Sequence, residues 1–374
     1  MLEESILKKE ERAVFELRSL YRKFGYLPYK MSKFEEYDLY ARNKDFLVSD
    51  GIITFTDTNG RLMALKPDVT LSIIRNYKDE PGCVQRVYYN ESVYRISGET
   101  HEYKEIMQTG LECMGDVDFV NIIEVLDLAA ESLDLLDSNF VLELSHMGII
   151  AGLLKEADAG EDFNQAVAVC LDEKNAHELS SLCTRYGVAD EVCSKLVRFI
   201  DIYGSRKNVI EELKPLCDTD ELKAALQELK ELDAALSKTK YSSHIKFDFS
   251  LVNDMKYYNG IVFQGYVENV PEVILSGGQY DRLMHRMDRK SRAIGFALYL
   301  DLLENLPSDV RRYDVDVVLL YENSEDRNRL FNETENLNSK GYSVMIQKNV
   351  PAAVRYRKLM KLTDKGVELI EDND

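Results

Sequence analysis

Residues 104–114 read KEIMQTGLECM, and the alternation in this stretch decides how the rest of the chain folds around it. A period of two places Met107, Thr109, Leu111 and Cys113 on one side of a strand and Gln108, Gly110 and Glu112 on the other. The first side is core. The second is polar, and Gly110 leaves an unfilled gap between Gln108 and Glu112, so a small polar ligand can lie across the backbone and be held at both ends. A half-exposed antiparallel strand whose polar side meets water fits the same pattern, so the neighbouring segments carry the decision.

Upstream, Tyr94-Arg95 precedes the strand by a short loop, and Lys66-Pro67-Asp68-Val69-Thr70 offers a carboxylate and a hydroxyl suited to an α-ammonium group. Downstream, Tyr257-Tyr258-Asn259 adds phenols, and Ser276-Gly277-Gly278-Gln279-Tyr280-Asp281 adds a glycine turn that permits close approach. Helical spacing of Ile6, Val14, Leu17, Leu20, Tyr21 and Phe24 predicts a helix over 6–24, ended by Gly25. Asn59-Gly60 joins Ile52–Thr56 to Arg61–Leu65 as a hairpin. A helix from Pro67 to Tyr77, a strand from Val84 to Tyr89 and a helix over 117–137 follow.

From about Leu153 to Lys240, helix formers dominate and β-branched clusters are few. Strands resume at Ile245–Phe249, Gly260–Tyr266 and Val273–Leu275, and Ala293–Leu298 runs into a helix. The expected architecture is α+β, with one antiparallel sheet flanked by helices over residues 1–306 and a helical insertion at about 153–240. A small C-terminal β-α-β domain over 307–374 is expected from the strand Val315–Leu320, the helix Asp326–Asn338 and the strand Tyr342–Ile346.

Across 374 residues, 45% apolar content is enough for more than one core. Acidic residues outnumber basic ones by 66 to 47, for a net charge of −19, which opposes affinity for phosphate backbones. Apolar runs such as Val317–Leu320 fall far short of the roughly 20 residues of a membrane span, and the first residues lack signal-peptide character, so a soluble cytoplasmic chain is expected. Six cysteines without a C-x-x-C pair, and five histidines off ligand spacing, argue against structural zinc and against a disulfide framework. No phosphoribosyltransferase fingerprint, an acidic pair before a Thr-Gly-x-Thr-type loop, occurs.

The order of these segments resembles the class II aminoacyl-tRNA synthetase core and, within that class, the histidyl-tRNA synthetase family. The family's arginine, loop and F-x-Q-x-G-x-E is similar to Arg95 followed by Ile106–Glu112, and its L-R-P-E-G-T to Leu65–Thr70. Its L-V-R-G-L-D-Y-Y is similar to Leu251–Tyr258, its G-G-G-R-Y-D to Ser276–Asp281, and its closing G-F-A-x-G-x-E-R-L to Gly295–Leu303. That resemblance spans roughly residues 1–306. It implies a histidine pocket formed by Asp68, Thr70, Arg95, Gln108, Glu112, Tyr257 and Tyr258. Asp68, Thr70 and Gln108 would take the ammonium group, Glu112 with Tyr257 or Tyr258 the imidazole, and Arg95 the carboxylate.

The departures matter as much. By the same resemblance Asn253 replaces an arginine that stabilises charge during adenylate formation, and Leu302 one that holds the ATP phosphates, with Tyr299 at the adjacent glycine position. A hydrogen bond to a charged group contributes about 1.5–3 kcal/mol, so two lost cations cost about 3–6 kcal/mol. Residues 307–374 are short for an anticodon-binding domain, and Ser32 stands where the dimer motif of the class has proline. A chain that keeps the amino-acid pocket and loses activation resembles the ATP phosphoribosyltransferase regulatory subunits, paralogues of the synthetase in histidine biosynthesis. That resemblance implies a non-catalytic chain without cofactor or metal. It would form a homodimer within a hetero-octamer with the short catalytic subunit, activate that subunit and transmit feedback by L-histidine, with neither tRNA nor membrane as partner. Two other readings stay open at this level: a divergent histidyl-tRNA synthetase or free-standing histidine-activating enzyme, and a dimerisation scaffold that binds no amino acid.

Overall fold

Helix α1 (Lys9–Lys23) buries Ala13, Val14, Leu17, Leu20 and Tyr21 along one stripe, and Gly25, at φ +80°, ends it in a conformation that side chains disfavour. Phe24, expected in that stripe, is exposed, since the helix ends at Lys23 and Phe24 is its non-helical cap. The computed structural model describes residues 7–47, 51–96, 100–252, 257–305, 312–322 and 327–373; Ile6 and Asn253 lie outside them.

After α1 come β1 (Leu27–Pro28), β2 (Phe34–Glu36) and α2 (Tyr37–Ala41), then the hairpin β3 (Thr54–Thr56) and β4 (Leu62–Leu65), closed by Gly60 at φ +80°. The strands β2, β4 and β3 form a small sheet of their own. Helix α3 (Thr70–Asn76) begins three residues later than Pro67, since the Asp68 carboxylate accepts the Leu71 N–H at 2.8 Å and so marks the helix start. The long hairpin β5 (Val84–Ile96) and β6 (Tyr103–Gly115) extends both predicted strands. Helix α4 (Phe119–Leu136) opens with a reciprocal cap between Asp118 and Asn121.

Strand β7 (Phe140–His146) was not expected, and it sits deep in the main sheet between β10 and β9. Helical structure then begins at Met147 rather than near Leu153, as α5 (Met147–Ala157), α6 (Glu161–Asp172), α7 (Ala176–Tyr186) and α8 (Asp190–Phe199). The short strand β8 (Tyr203–Gly204) leads to α9 (Arg206–Leu213) and α10 (Asp220–Leu236). Buried Arg206 fastens these helices to the sheet: its guanidinium donates to Asp233 (2.7 Å) and to the carbonyls of Ser242 (2.6 Å) and Ile245 (2.9 Å).

Strands β9 (Ile245–Asp248), β10 (Ile261–Val267) and β11 (Leu275–Gln279), helix α11 (Asp281–Arg286) and strand β12 (Arg292–Tyr299) complete the main sheet. Its order is β1-β5-β6-β12-β11-β10-β7-β9-β8. Pairing is antiparallel except at β1–β5 and β7–β9. This is the expected α+β architecture. Residues α1 shares its core with, Tyr88, Leu111, Cys113 and Phe296, occupy one face; Val87, Tyr89, Met114 and Ala293 pack with α3 and α11 on the other. Gly277 and Gly278, read as a turn, lie inside β11, because the strand has to pass beneath aromatic rings: a Cβ on Gly277 would stand 2.6 Å from Phe263 Cζ.

The chain divides into two compact units, Met1–Leu306 and Pro307–Asp374. The second holds β13 (Val315–Leu320), α12 (Arg327–Ser339) and β14 (Val344–Gln347), and also a hairpin that was not expected, β15 (Tyr356–Thr363) and β16 (Gly366–Asp372). The order is β14-β13-β15-β16, with β13 parallel to both neighbours, so the unit is a βα-β core extended by two strands rather than β-α-β alone.

Candidate functional site

Strand register aligns the polar side of β6 with its neighbours. Glu112 lies beside Gly295 of β12, which lies beside Gly278 of β11. These two glycines form a trough. A Cβ on Gly295 would stand 1.8 Å from Glu112 Oε2, and one on Gly278 would stand 2.6 Å from Tyr258 Cδ1, so the trough seats the Glu112 carboxyl and the Tyr258 ring. The next row carries Tyr89, Gly110, Ala297, Ser276 and Gln264. The gap over Gly110 is not unfilled as expected: Tyr89 Oη occupies it, 2.6 Å from where a Cβ would be.

All seven residues singled out from the sequence, Asp68, Thr70, Arg95, Gln108, Glu112, Tyr257 and Tyr258, line one cavity of about 1150 Å³ above these rows. The polar side of β6 is therefore a buried wall, with Gln108 and Glu112 each under 4% exposed. Glu112 accepts the Thr70 hydroxyl at 2.7 Å and the Tyr280 hydroxyl at 2.5 Å, one on each oxygen. Thr70 and Glu112 thus act as one unit. Arg95 donates Nε–H to the Pro67 carbonyl at 3.1 Å, which brings its charge beside Asp68. Among the described residues no hydrogen bond reaches the Gln108 amide, whose donor and acceptor are open to a ligand. Tyr257 packs edge-on to Tyr258 (4.7 Å) and against Tyr280 (5.9 Å), closing one end with aromatic rings.

Burial pushes the Glu112 carboxyl up to about 8, against the two hydroxyls and with Asp68 adding to the rise. Burial raises Asp68 too, while the Leu71 N–H and Arg95 hold it down. Unfolded, the Glu112 carboxyl ionises near 4.5. The folded chain therefore keeps a proton that the unfolded chain has released, so this contribution to stability is full below about pH 4.5 and lost as pH rises through about 8. Urea unfolding across that window is expected to show stability falling with pH, and Glu112→Gln to flatten the fall. An unchanged slope in the variant would mean another group titrates.

Several lining residues escaped the sequence reading. Tyr280 lay in a quoted segment, but only the β11–α11 junction brings its hydroxyl to Glu112. Tyr89 and Arg282 also line the cavity. The far end is bounded by Tyr299, Gln264, Ser276 and, from α6, Asn164 and Gln165. Leu302 packs against the main core. Arg292 is committed elsewhere, to Asp281 (3.3 Å) and the Val117 carbonyl (3.1 Å).

The family model described as histidyl-tRNA synthetase matches residues 2–303. A protein of Oceanobacillus iheyensis named ATP phosphoribosyltransferase regulatory subunit is 29% identical over 306 residues, which are 81% of this chain and 75% of that one. Among solved structures, an ATP phosphoribosyltransferase regulatory subunit/histidyl-tRNA synthetase from Bacillus halodurans superposes with a TM-score of 0.77 at 24% identity, covering 94% of this chain and 93% of that one. A chain of the ATP phosphoribosyl transferase complex from Thermotoga maritima gives 0.58 at 20% identity, covering 78% and 97%. These two likenesses are likenesses of fold.

Proposed function

The chain belongs to the histidyl-tRNA synthetase family, and from that premise we propose that it is a regulatory subunit of ATP phosphoribosyltransferase, which activates a short catalytic subunit and senses histidine. One observation carries this reading: the seven residues that the family resemblance assigns to an amino-acid pocket line a single cavity, while Leu302, where that resemblance puts a phosphate-binding arginine, is a partly buried apolar side chain packed against the core. A pocket that holds the amino acid without gripping ATP binds an effector rather than activating a substrate.

Asp68, Thr70 and Gln108 receive the ammonium group, Glu112 with the tyrosine cluster the imidazole, and Arg95 the carboxylate. The curated relative's name and the Thermotoga complex support a catalytic partner. Exposed Phe34 and Phe55, their rings 5.3 Å apart on the small β2-β4-β3 sheet, offer an apolar spot for self-association, and the proposed assembly is a homodimer within a hetero-octamer. Among the described residues no helix is long and apolar enough to cross a membrane, which suits a cytoplasmic biosynthetic role.

The steady-state rate of a short-form catalytic chain from the same source, with and without this protein across a histidine titration, tests the reading. Stimulation that histidine reverses is the expected result. No effect on rate or on sedimentation, or histidine-dependent exchange of pyrophosphate into ATP, would overturn it.

A further inference from the structure

Lys66 is fully buried, with no side-chain exposure at all, and its ammonium meets Glu91 Oε2 of β5 at 2.5 Å. An unpaired ammonium at such a site would be strongly disfavoured, so the pair fixes where both side chains lie. The backbone is held as well: the Lys66 N–H donates to the Lys33 carbonyl at 3.1 Å, and its carbonyl accepts the Tyr94 N–H at 2.9 Å. Pro67 follows with a φ its ring restricts, so the position of Lys66 is passed on to Asp68 two residues later. Glu91 is in register with Gln108 across the β5–β6 hairpin, and its other oxygen accepts the Met31 N–H at 3.5 Å.

The ion pair therefore spans the two walls of the pocket. On one side is the Pro67–Thr70 turn, with Asp68 and Thr70; on the other is the strand pair that carries Gln108. Neither Lys66 nor Glu91 lines the cavity. A buried pair of this kind adds little net stability over an apolar replacement, yet losing one partner leaves an uncompensated charge. Its effect is on geometry.

We propose that Lys66 and Glu91 are positioning residues for the effector pocket, an internal strut that sets the distance between the Asp68–Thr70 turn and Gln108 and so tunes affinity for a ligand carrying an α-ammonium group. This rests on the reading of the pocket as an amino-acid site. The strut acts through Asp68 and Gln108, not by contact with the ligand.

Calorimetric titration of L-histidine into the full-length protein tests it, with Lys66→Met, Lys66→Arg, Glu91→Gln and the double variant Lys66→Met/Glu91→Gln, alongside thermal unfolding of each. Lys66→Met is expected to weaken binding roughly 10- to 100-fold, the range in which partners supporting a ligand set act, and Lys66→Arg to recover part of it. The double variant removes both charges, so it should regain stability while its affinity stays low. Affinity that recovers together with stability in the double variant, or wild-type binding by Lys66→Met, would overturn the strut. Wild-type protein that takes up no histidine would overturn the pocket reading itself, and the strut with it.

Discussion

Glu112→Ala is expected to abolish the response to histidine while leaving stimulation of the catalytic subunit in place. The carboxyl is 2% exposed and is bound by Thr70 and Tyr280 on its two oxygens. Truncation removes the carboxyl that meets the imidazole and takes from the Thr70 and Tyr280 hydroxyls their Glu112 acceptor in a buried wall, each loss costing about 1–3 kcal/mol. Together these effects correspond to a loss of affinity on the order of a hundredfold or more. Glu112→Gln keeps the shape and one acceptor oxygen but puts an amide N–H donor where the second oxygen accepts a hydroxyl, so its loss should be smaller than that of Glu112→Ala, roughly tenfold. Histidine inhibition of the assembled enzyme and direct calorimetry read out the two variants independently. Stimulation should persist because the residue is 2% exposed and faces the cavity rather than the outer surface. Inhibition that survives Glu112→Ala would place the effector elsewhere.

The pocket was legible in the sequence where local periodicity was enough. Alternation in β6 put Gln108 and Glu112 on one side and Leu111 and Cys113 on the other, and the structure keeps both sides as read. What depended on register between distant strands was not legible. Nothing near Tyr280 in the chain announces Glu112, 168 residues away; β11 must first pair with β12, and β12 with β6. Gly277-Gly278 carries the local chemistry of a turn, and only the neighbours that other segments bring up, the Gly295 carbonyl, Phe296 and Phe263 around Gly277 and the Tyr258 ring and Ile261 carbonyl around Gly278, explain why the strand needs glycine there. Strand β7 was hidden because Glu143 and Ser145 interrupt a short run, although both lie in a row that β10 continues. In the C-terminal unit, β15 carries Lys358 and Lys361, which look like loop charges until Asp372 (2.7 Å) and Glu322 (2.6 Å) supply their partners.

Gly295→Ala should be as damaging to histidine sensing as loss of Glu112, although the substituted residue offers no group to a ligand. The added Cβ would stand 1.8 Å from Glu112 Oε2 and 2.7 Å from Glu112 Cδ, and also 2.5 Å from the Leu111 carbonyl oxygen. The first two contacts could be relieved only by swinging the carboxyl off the Thr70 and Tyr280 hydroxyls. The third is to backbone and can be relieved only by spreading β6 from β12. Overpacking of this kind costs typically about 1–3 kcal/mol, and here it falls on the strand pair that carries the pocket wall. The variant is therefore expected to unfold at lower urea and to bind histidine on the order of a hundredfold more weakly. Combining it with Glu112→Ala separates the two causes. Removing the carboxyl relieves the side-chain clash, so the double variant should be more stable than the sum of the single effects predicts, with a coupling of about 0.5–3 kcal/mol. Affinity should not return, since the carboxyl is gone. Strictly additive losses would mean that the alanine acts only through Leu111 and the backbone, and that the trough over Gly295 does not hold Glu112 in place.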